Sequence, residues 1–361
     1  MITVPPYVDK INPYVPGKPI SELERELGIT GSIKLASNEN PLGPSPMAIE
    51  ALKNLALKNF DSLNRYPDGN GFYLKEALAK ALGVKTEEII LGNGSNELID
   101  IAVRTFMQQG DEAIMADPSF VVYSMSVSAV GAKIIKIPLR DYRHDLKAMA
   151  DAITERTKII FIANPNNPTG TIVYKDEFDE FIKRIPNRIL IIMDEAYFEY
   201  VTDSEYPDTI KYYKEGRDNI LILRTFSKVY GLAGLRIGYG IADLELIKQM
   251  DKIRAPFNTN TPAQTAALAA LKDSNHLSNS IKINDQGKVY LYKELSDMGI
   301  LFVKTYANFI YIDLKRDAKD INNKLLAKGI IIRPMGPTII RVTIGLPEEN
   351  VLFIQRLKEV L

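Results

Sequence analysis

Short aliphatic runs, each bounded by polar turns, recur through the middle of the chain: Ile114 to Ala116, Ile134 to Pro138, Ile159 to Ala163, Ile189 to Met193 and Ile220 to Leu223. Unbroken apolar runs of this length predict strands buried on both faces of a largely parallel sheet. Amphipathic stretches lie between them. From Ser95 to Met107, Leu98, Ile101, Ala102 and Phe106 fall at three- and four-residue spacing, which predicts one apolar helix face. The rhythm shifts after about Pro256. Pro262 to Leu271 and Ile281 to Met298 predict helices, then Asn308 to Leu314, Lys319 to Lys328, Gly329 to Arg333 and Ile339 to Ile344 predict strand, helix, strand and strand. Pro347-Glu348-Glu349 opens a last helix, because proline and acids suit a first turn. The amino-terminal segment carries Pro5, Pro6, Pro13, Pro16 and Pro19 and reads as an extended arm, since proline lacks the donor that a helix interior or central strand needs. The pattern as a whole predicts an α/β fold: a large domain over residues 41–256, with the arm 1–40 joining a smaller α+β domain over 257–361.

At 361 residues, 46% hydrophobic and 25% charged, the composition is that of a globular chain and excludes disordered, collagen-like and coiled-coil classes. Lys+Arg 45 against Asp+Glu 45 leaves no basic excess, so neither nucleic acid nor an anionic membrane is an expected partner. The absence of cysteine excludes disulfides, thiolate metal sites and thiol nucleophiles, and no metal centre is expected. The two histidines, His144 and His276, stand among polar neighbours and read as solvent-exposed. Met1 to Pro6 has no signal-peptide pattern, and the apolar runs fall far below the roughly 18 residues of a membrane span, so a cytoplasmic protein is expected.

Ligands of open parallel sheets bind beyond the carboxyl ends of the strands. There, Ile159 to Ala163 is followed by Asn164-Pro165-Asn166-Asn167-Pro168-Thr169-Gly170, Ile189 to Met193 by Asp194-Glu195-Ala196-Tyr197, and Ile220 to Leu223 by Arg224-Thr225-Phe226-Ser227-Lys228. Singly these read as a turn, a helix cap and a solvated lysine. Gly92-Asn93-Gly94-Ser95 before a helix suits a phosphate but lacks the spacing of either common nucleotide-binding glycine motif. Together they supply what pyridoxal phosphate chemistry requires: an amine for its aldehyde, an acid for its ring nitrogen, and donors for its hydroxyl and phosphate.

With these words, and with Asn38-Glu39-Asn40-Pro41, Arg65-Tyr66-Pro67, Gly231-Leu232-Ala233-Gly234-Leu235-Arg236 and Arg341-Val342-Thr343-Ile344-Gly345, the sequence resembles the fold-type I pyridoxal-phosphate aminotransferases. Its nearest likeness is to the histidinol-phosphate aminotransferase family, and the resemblance runs from about Asn12 to the carboxyl terminus. It implies a mostly parallel seven-stranded sheet in the large domain. It also implies that Lys228 carries the cofactor and moves a proton, that Asp194 faces the ring nitrogen, and that Asn167 and Tyr197 hold the ring oxygen. Phe120 would stack on the ring, where many relatives have Tyr. The phosphate would lie among Ser95, Asn96, Thr225, Ser227 and Arg236, Asn96 standing where the family commonly has Asp. Tyr66 would reach the neighbouring subunit's cofactor, which implies a homodimer.

For substrates, the resemblance implies that Arg341 clamps the α-carboxylate of glutamate, a geometry suited to guanidinium. Arg333 and Tyr14 would face the phosphate of histidinol phosphate, with Tyr123 and Asn308 as further pocket residues. The expected reaction is amino transfer between glutamate and imidazole acetol phosphate, in histidine biosynthesis. An aromatic amino acid aminotransferase and a threonine-phosphate decarboxylase remain alternatives, because the bond that breaks depends on a substrate pose that the sequence does not fix. A transcription regulator of the same fold would need a DNA-binding module, for which the early start of the resemblance is read as leaving no room.

Overall fold

All five aliphatic runs are strands of a single sheet in the computed structural model, which describes residues 2–58 and 63–361. In chain order the strands of the protein are β1 (Ile33–Lys34), β2 (Ile89–Gly92), β3 (Glu112–Asp117), β4 (Lys133–Pro138), β5 (Thr157–Ala163), β6 (Leu190–Asp194), β7 (Ile220–Thr225) and β8 (Gly238–Ile241). They continue as β9 (Leu301–Val303), β10 (Phe309–Asp313), β11 (Ile330–Ile331), β12 (Arg333–Pro334) and β13 (Ile339–Thr343). The large sheet has seven strands in the order β2-β8-β7-β6-β5-β3-β4. From β7 to β4 every pairing is parallel, and β8 runs antiparallel to both of its neighbours.

Alternation along the strands explains the apolar runs. Ile160 and Ile162 of β5, Ile191 and Met193 of β6, and Ile220 and Ile222 of β7 enter one core. Ile159, Phe161, Leu190, Ile192, Leu221 and Leu223 enter the core on the opposite face. Successive side chains of a strand point to opposite sides, so a sheet covered on both faces must be apolar at every position. The strands β2 and β8 were not legible as such. Gly238-Tyr239-Gly240-Ile241 has no β-branched run, and its glycines are there for close approach: a Cβ on Gly238 would lie 2.4 Å from the Ser95 amide nitrogen.

The smaller body is the antiparallel sheet β12-β13-β10-β9, with β1 and β11 paired in parallel beside it. Its core joins Ile310, Ile312 and Val342 to Leu291, Leu325 and Phe353 of the helices Ser274–Asp297, Ala318–Leu326 and Pro347–Val360. The first of these helices begins earlier than its apolar pattern suggests, because Asp273 caps it by accepting from the His276 amide at 3.1 Å. Thr261–Ala270 packs through Ala263, Ala266, Ala267 and Ala270 into the core of the large sheet.

Two expectations are corrected. The proline-rich arm is not wholly extended: it holds the helices Pro6–Asp9 and Ile20–Leu27, whose prolines occupy cap and first-turn positions where no amide donor is needed. Nor are the histidines exposed. Both are buried, His144 with Nε2 donating to the Ala163 carbonyl at 2.9 Å, because tertiary packing overrides the polarity of sequence neighbours.

Beneath the carboxyl ends of β6 and β7 lies a buried ion pair. Arg224 donates to Glu195 Oε2 through Nε at 2.8 Å, with Nη2 also 2.8 Å away, and Thr209 donates its hydroxyl to Oε1. The guanidinium lies over the Phe198 ring, 3.7 Å from its centroid. Removing one partner of such a pair strands the other, so Glu195→Ala is expected to lose about 3–5 kcal/mol of stability. Urea unfolding checks this; a loss below about 1 kcal/mol, the worth of an exposed pair, would show that the pair constrains nothing.

Candidate active site

A cleft of about 1030 Å³ opens where β5, β6 and β7 end against the smaller body. Asp194, the last residue of β6, is buried, accepting from the Tyr123 hydroxyl at 2.6 Å and from the Ala196 amide at 3.2 Å. Burial raises the pKa of this carboxyl, opposed by those two bonds. Among the described residues no lysine or arginine pairs with it. Lys228 follows β7 and donates its amine to the Ser37 carbonyl at 3.1 Å, with the nitrogen 5.6 Å from the Tyr197 ring centroid. Burial and then the charge of Arg341 pull the amine down to about 8, against the opposing charge of Glu39.

At the far end, the helix Ser95–Phe106 points its amino terminus into the cleft, and its first-turn amides, those of Ser95 and Asn96 included, have no intrahelical carbonyl to bond. Arg236, at φ 60°, stands beside it, donating to Ala233 O at 3.0 Å and to Ser227 Oγ at 3.4 Å. Thr225 Oγ1 bonds Ser227 Oγ at 3.0 Å and accepts from the Ser227 amide at 3.1 Å. The space is kept by glycine: a Cβ on Gly94 would lie 2.5 Å from Arg236 Nη2. A helix amino terminus, two hydroxyls and a guanidinium converge on one anion-sized position.

The smaller body contributes Arg341, in β13. Its Nη1 donates to Asn167 Oδ1 at 2.6 Å and its Nη2 to the Ala36 carbonyl at 2.8 Å, while Nε is buried with no partner. Phe120 lines the cleft edge-on to Tyr123, the ring centroids 5.6 Å apart. Tyr14 lines the mouth, with the Arg333 guanidinium 5.4 Å from its ring centroid.

The structure therefore brings Lys228, Asp194, Tyr197, Asn167, Phe120, Ser95, Asn96, Thr225, Ser227, Arg236, Arg341, Tyr14 and Tyr123 to one cleft. Two placements, those of Asn308 and Arg333, differ from the sequence expectation. Tyr123 lines the cleft but is fully buried and spends its hydroxyl on Asp194. Asn308 does not line the cleft; it is buried beneath Asn38, donating to that residue's carbonyl at 3.0 Å. Arg333 lies outside the lining, donating to Val15 O at 2.7 Å. Tyr66, expected to serve a neighbouring subunit, is 82% exposed, stacked on Phe257 at 4.6 Å and away from this chain's cleft. Sequence reasoning noticed Asn38-Glu39-Asn40-Pro41 but gave it no task. In the fold the segment runs along the cleft, and Asn38 and Glu39 line it.

A buried acid without a protein cation, a lysine of lowered basicity and a cationic anion cradle suit pyridoxal phosphate, which carries a basic ring nitrogen, an aldehyde and a phosphate. Comparison with known proteins agrees. The model of the aminotransferase class I and II family matches residues 30–356. Histidinol-phosphate aminotransferase from Moorella thermoacetica is 50% identical over 97% of this chain and 91% of its own length. The Caldicellulosiruptor saccharolyticus enzyme of that name is 49% identical over 97% and 98%. The crystal structure of histidinol-phosphate aminotransferase from Sinorhizobium meliloti in complex with pyridoxal-5′-phosphate superposes with a TM-score of 0.89, at 28% identity, over 98% of this chain and 96% of that one. With its strand ends, its anion cradle and nearly its whole length shared in this way, the chain belongs to the class I and II aminotransferases and, within them, to the histidinol-phosphate aminotransferase family.

Proposed function

We propose that the protein moves an amino group between L-glutamate and imidazole acetol phosphate on pyridoxal 5′-phosphate, giving L-histidinol phosphate and 2-oxoglutarate, a step of histidine biosynthesis. The observation that carries this reading is the convergence of the Lys228 amine, the Asp194 carboxylate and the Arg341 guanidinium on one cleft that ends in an anion cradle. When bound, the cofactor supplies an aldehyde carbon for an amine and a ring that accepts the electron pair left by the departing α-proton.

The chain's own groups divide the remaining work. Asp194 keeps the ring nitrogen protonated, a charge-assisted pair that restores the balance lost by burying the carboxylate. Asn167 and Tyr197 hold the ring oxygen, and Phe120 covers the ring face. Ser95, Asn96, Thr225, Ser227 and Arg236 hold the phosphate. Lys228 would move the proton between the substrate α-carbon and the cofactor's C4′ carbon, a task suited to an amine of lowered basicity. Arg341 receives the substrate carboxylate, for which its unpartnered Nε is one available donor. Tyr14 at the mouth, with the Arg333 guanidinium held over its ring from outside the lining, receives the phosphate of the larger substrate. Tyr66 and Phe257, stacked and exposed, together with exposed Phe72 and Tyr73, offer an aromatic face to a second copy, whose cofactor phosphate Tyr66 would meet in a homodimer.

Three measurements check this reading. Glutamate should bleach the visible absorbance of the holoenzyme, and imidazole acetol phosphate should restore it at least about tenfold faster than phenylpyruvate, a ratio within reach of pocket discrimination. The opposite order would favour an aromatic substrate, and carbon dioxide released from threonine phosphate would favour decarboxylation. In the cofactor-free protein, an amine-directed reagent should modify Lys228 with a midpoint near pH 8, the neutral amine being the reactive form, so that below the midpoint the rate falls about tenfold per unit. A midpoint near 10.4, as for a solvated lysine, would contradict it. Finally, Tyr66→Phe and Lys228→Ala chains, each slowed alone, should regain activity on mixing; without recovery, shared sites are excluded.

A further inference from the structure

Asn38 is buried at φ 56°, a left-handed conformation that asparagine tolerates better than most residues, and all four of its polar groups are engaged. Its amide donates to Thr343 Oγ1 at 2.9 Å, and its carbonyl accepts from Asn308 Nδ2 at 3.0 Å. Its side-chain Oδ1 lies 3.3 Å from Thr343 Oγ1, and its Nδ2 lies 2.9 Å from the Tyr197 hydroxyl.

The direction of every proton in this set follows. The Thr343 oxygen accepts from the Asn38 amide, and its own proton is donated to Oδ1. That fixes which way the Asn38 amide group faces, with Nδ2 toward Tyr197. An amide nitrogen only donates. The phenol oxygen is therefore the acceptor, and its proton must point elsewhere. Among the described residues no other group bonds that hydroxyl, and Tyr197 lines the cleft. The phenol ring itself is held edge-on to Phe309, the centroids 5.1 Å apart, and burial keeps the hydroxyl protonated.

We propose that Asn38, oriented by Thr343, is a positioning residue that fixes Tyr197 as a hydrogen-bond donor into the cleft, toward the ring oxygen of the bound cofactor. The proposal rests on the reading that the ring oxygen lies before Tyr197. Without the relay the phenol could rotate and present lone pairs to that oxygen, which would repel its ionised form. Thr343 stands two residues beyond Arg341 on β13, so the strand that carries the carboxylate clamp also sets the direction of the Tyr197 proton.

The test is a pH titration of the resting holoenzyme's long-wavelength absorption band. Tyr197→Phe removes the donor and should raise the midpoint by about one to two pH units, the equivalent of one hydrogen bond to a charged oxygen. Asn38→Asp has the same shape and, when ionised, can only accept, so it should draw the Tyr197 proton away from the cleft and raise the midpoint as Tyr197→Phe does. Thr343→Val frees the Asn38 amide to turn and should shift the midpoint the same way by less, whereas Thr343→Ser should restore the wild-type value. In a Tyr197→Phe background neither Asn38→Asp nor Thr343→Val should add a shift, because their effect runs through the missing hydroxyl. An Asn38→Asp shift that persists in that background would be a plain charge effect and would overturn the proposal, as would a Thr343→Val midpoint equal to wild type. If Tyr197→Phe itself leaves the midpoint unmoved, the placement of the ring oxygen is wrong, an outcome distinct from a shift in Tyr197→Phe alone.

Discussion

A carboxylate buried at the end of a central strand, hydrogen-bonded but without a protein cation, is the constraint around which this molecule is arranged. Among the described residues no lysine or arginine forms an ion pair with Asp194, although the charge of Lys228 acts on it from elsewhere in the cleft. Tyr123 and the Ala196 amide hold the carboxyl in place without neutralising it. The cost of a buried charge is thus left for a ligand to offset, and the ligand must bring a positive group to that point. The Arg224–Glu195 pair, one residue along on each strand and facing the other way, holds the ends of β6 and β7 in register while that charge waits.

The segment from Ile33 to Ser45 joins the two bodies more closely than the chain path alone requires. Ile33 pairs with β11 and the Leu35 carbonyl accepts from the Thr343 amide, both in the smaller body. Ala36 O accepts from Arg341, Ser37 O accepts from Lys228, and Asn38 donates to Tyr197. Asn40 Nδ2 then donates to the Val229 carbonyl at 2.7 Å and to Ser280 Oγ at 2.8 Å. Three consecutive residues thereby contact three different functional side chains. A displacement of the smaller sheet is felt at the lysine and the phenol together, through hydrogen bonds and without any intervening loop.

Much of this is legible in the sequence, for definable reasons. Strands buried on both faces leave continuous apolar runs, and the residues just past them are forced to the ligand side, so Asp194, Asn167 and Lys228 could be read directly. The glycine strand β8 could not, because its signal is an absence of side chains dictated by a helix that approaches it from elsewhere in the chain. The histidines misled because polar neighbours in sequence do not imply exposure: His144 is buried against the Ala163 carbonyl, and His276 is buried among Asn40, Asp273 and Ser280. Asn308 and Arg333 are drawn to the correct region but stand outside the cleft lining: a sequence word reports which residues gather, whereas the direction in which each side chain spends its hydrogen bonds is settled by partners hundreds of residues away. Asn38 is the clearest instance, since Thr343, which orients it, lies 305 positions further along.

The glycines at the anion end have a consequence for how such a protein can diverge. Gly238 lets the Ser95 amide rest directly on β8, and Gly94 admits the Arg236 fork, so the address of the phosphate is written largely in main chain. Side chains elsewhere in the cleft can be exchanged, and the substrate with them, while the cofactor's anchoring point stays where it is. Descendants of this scaffold are free to change what they transform far more readily than where they moor the vitamin.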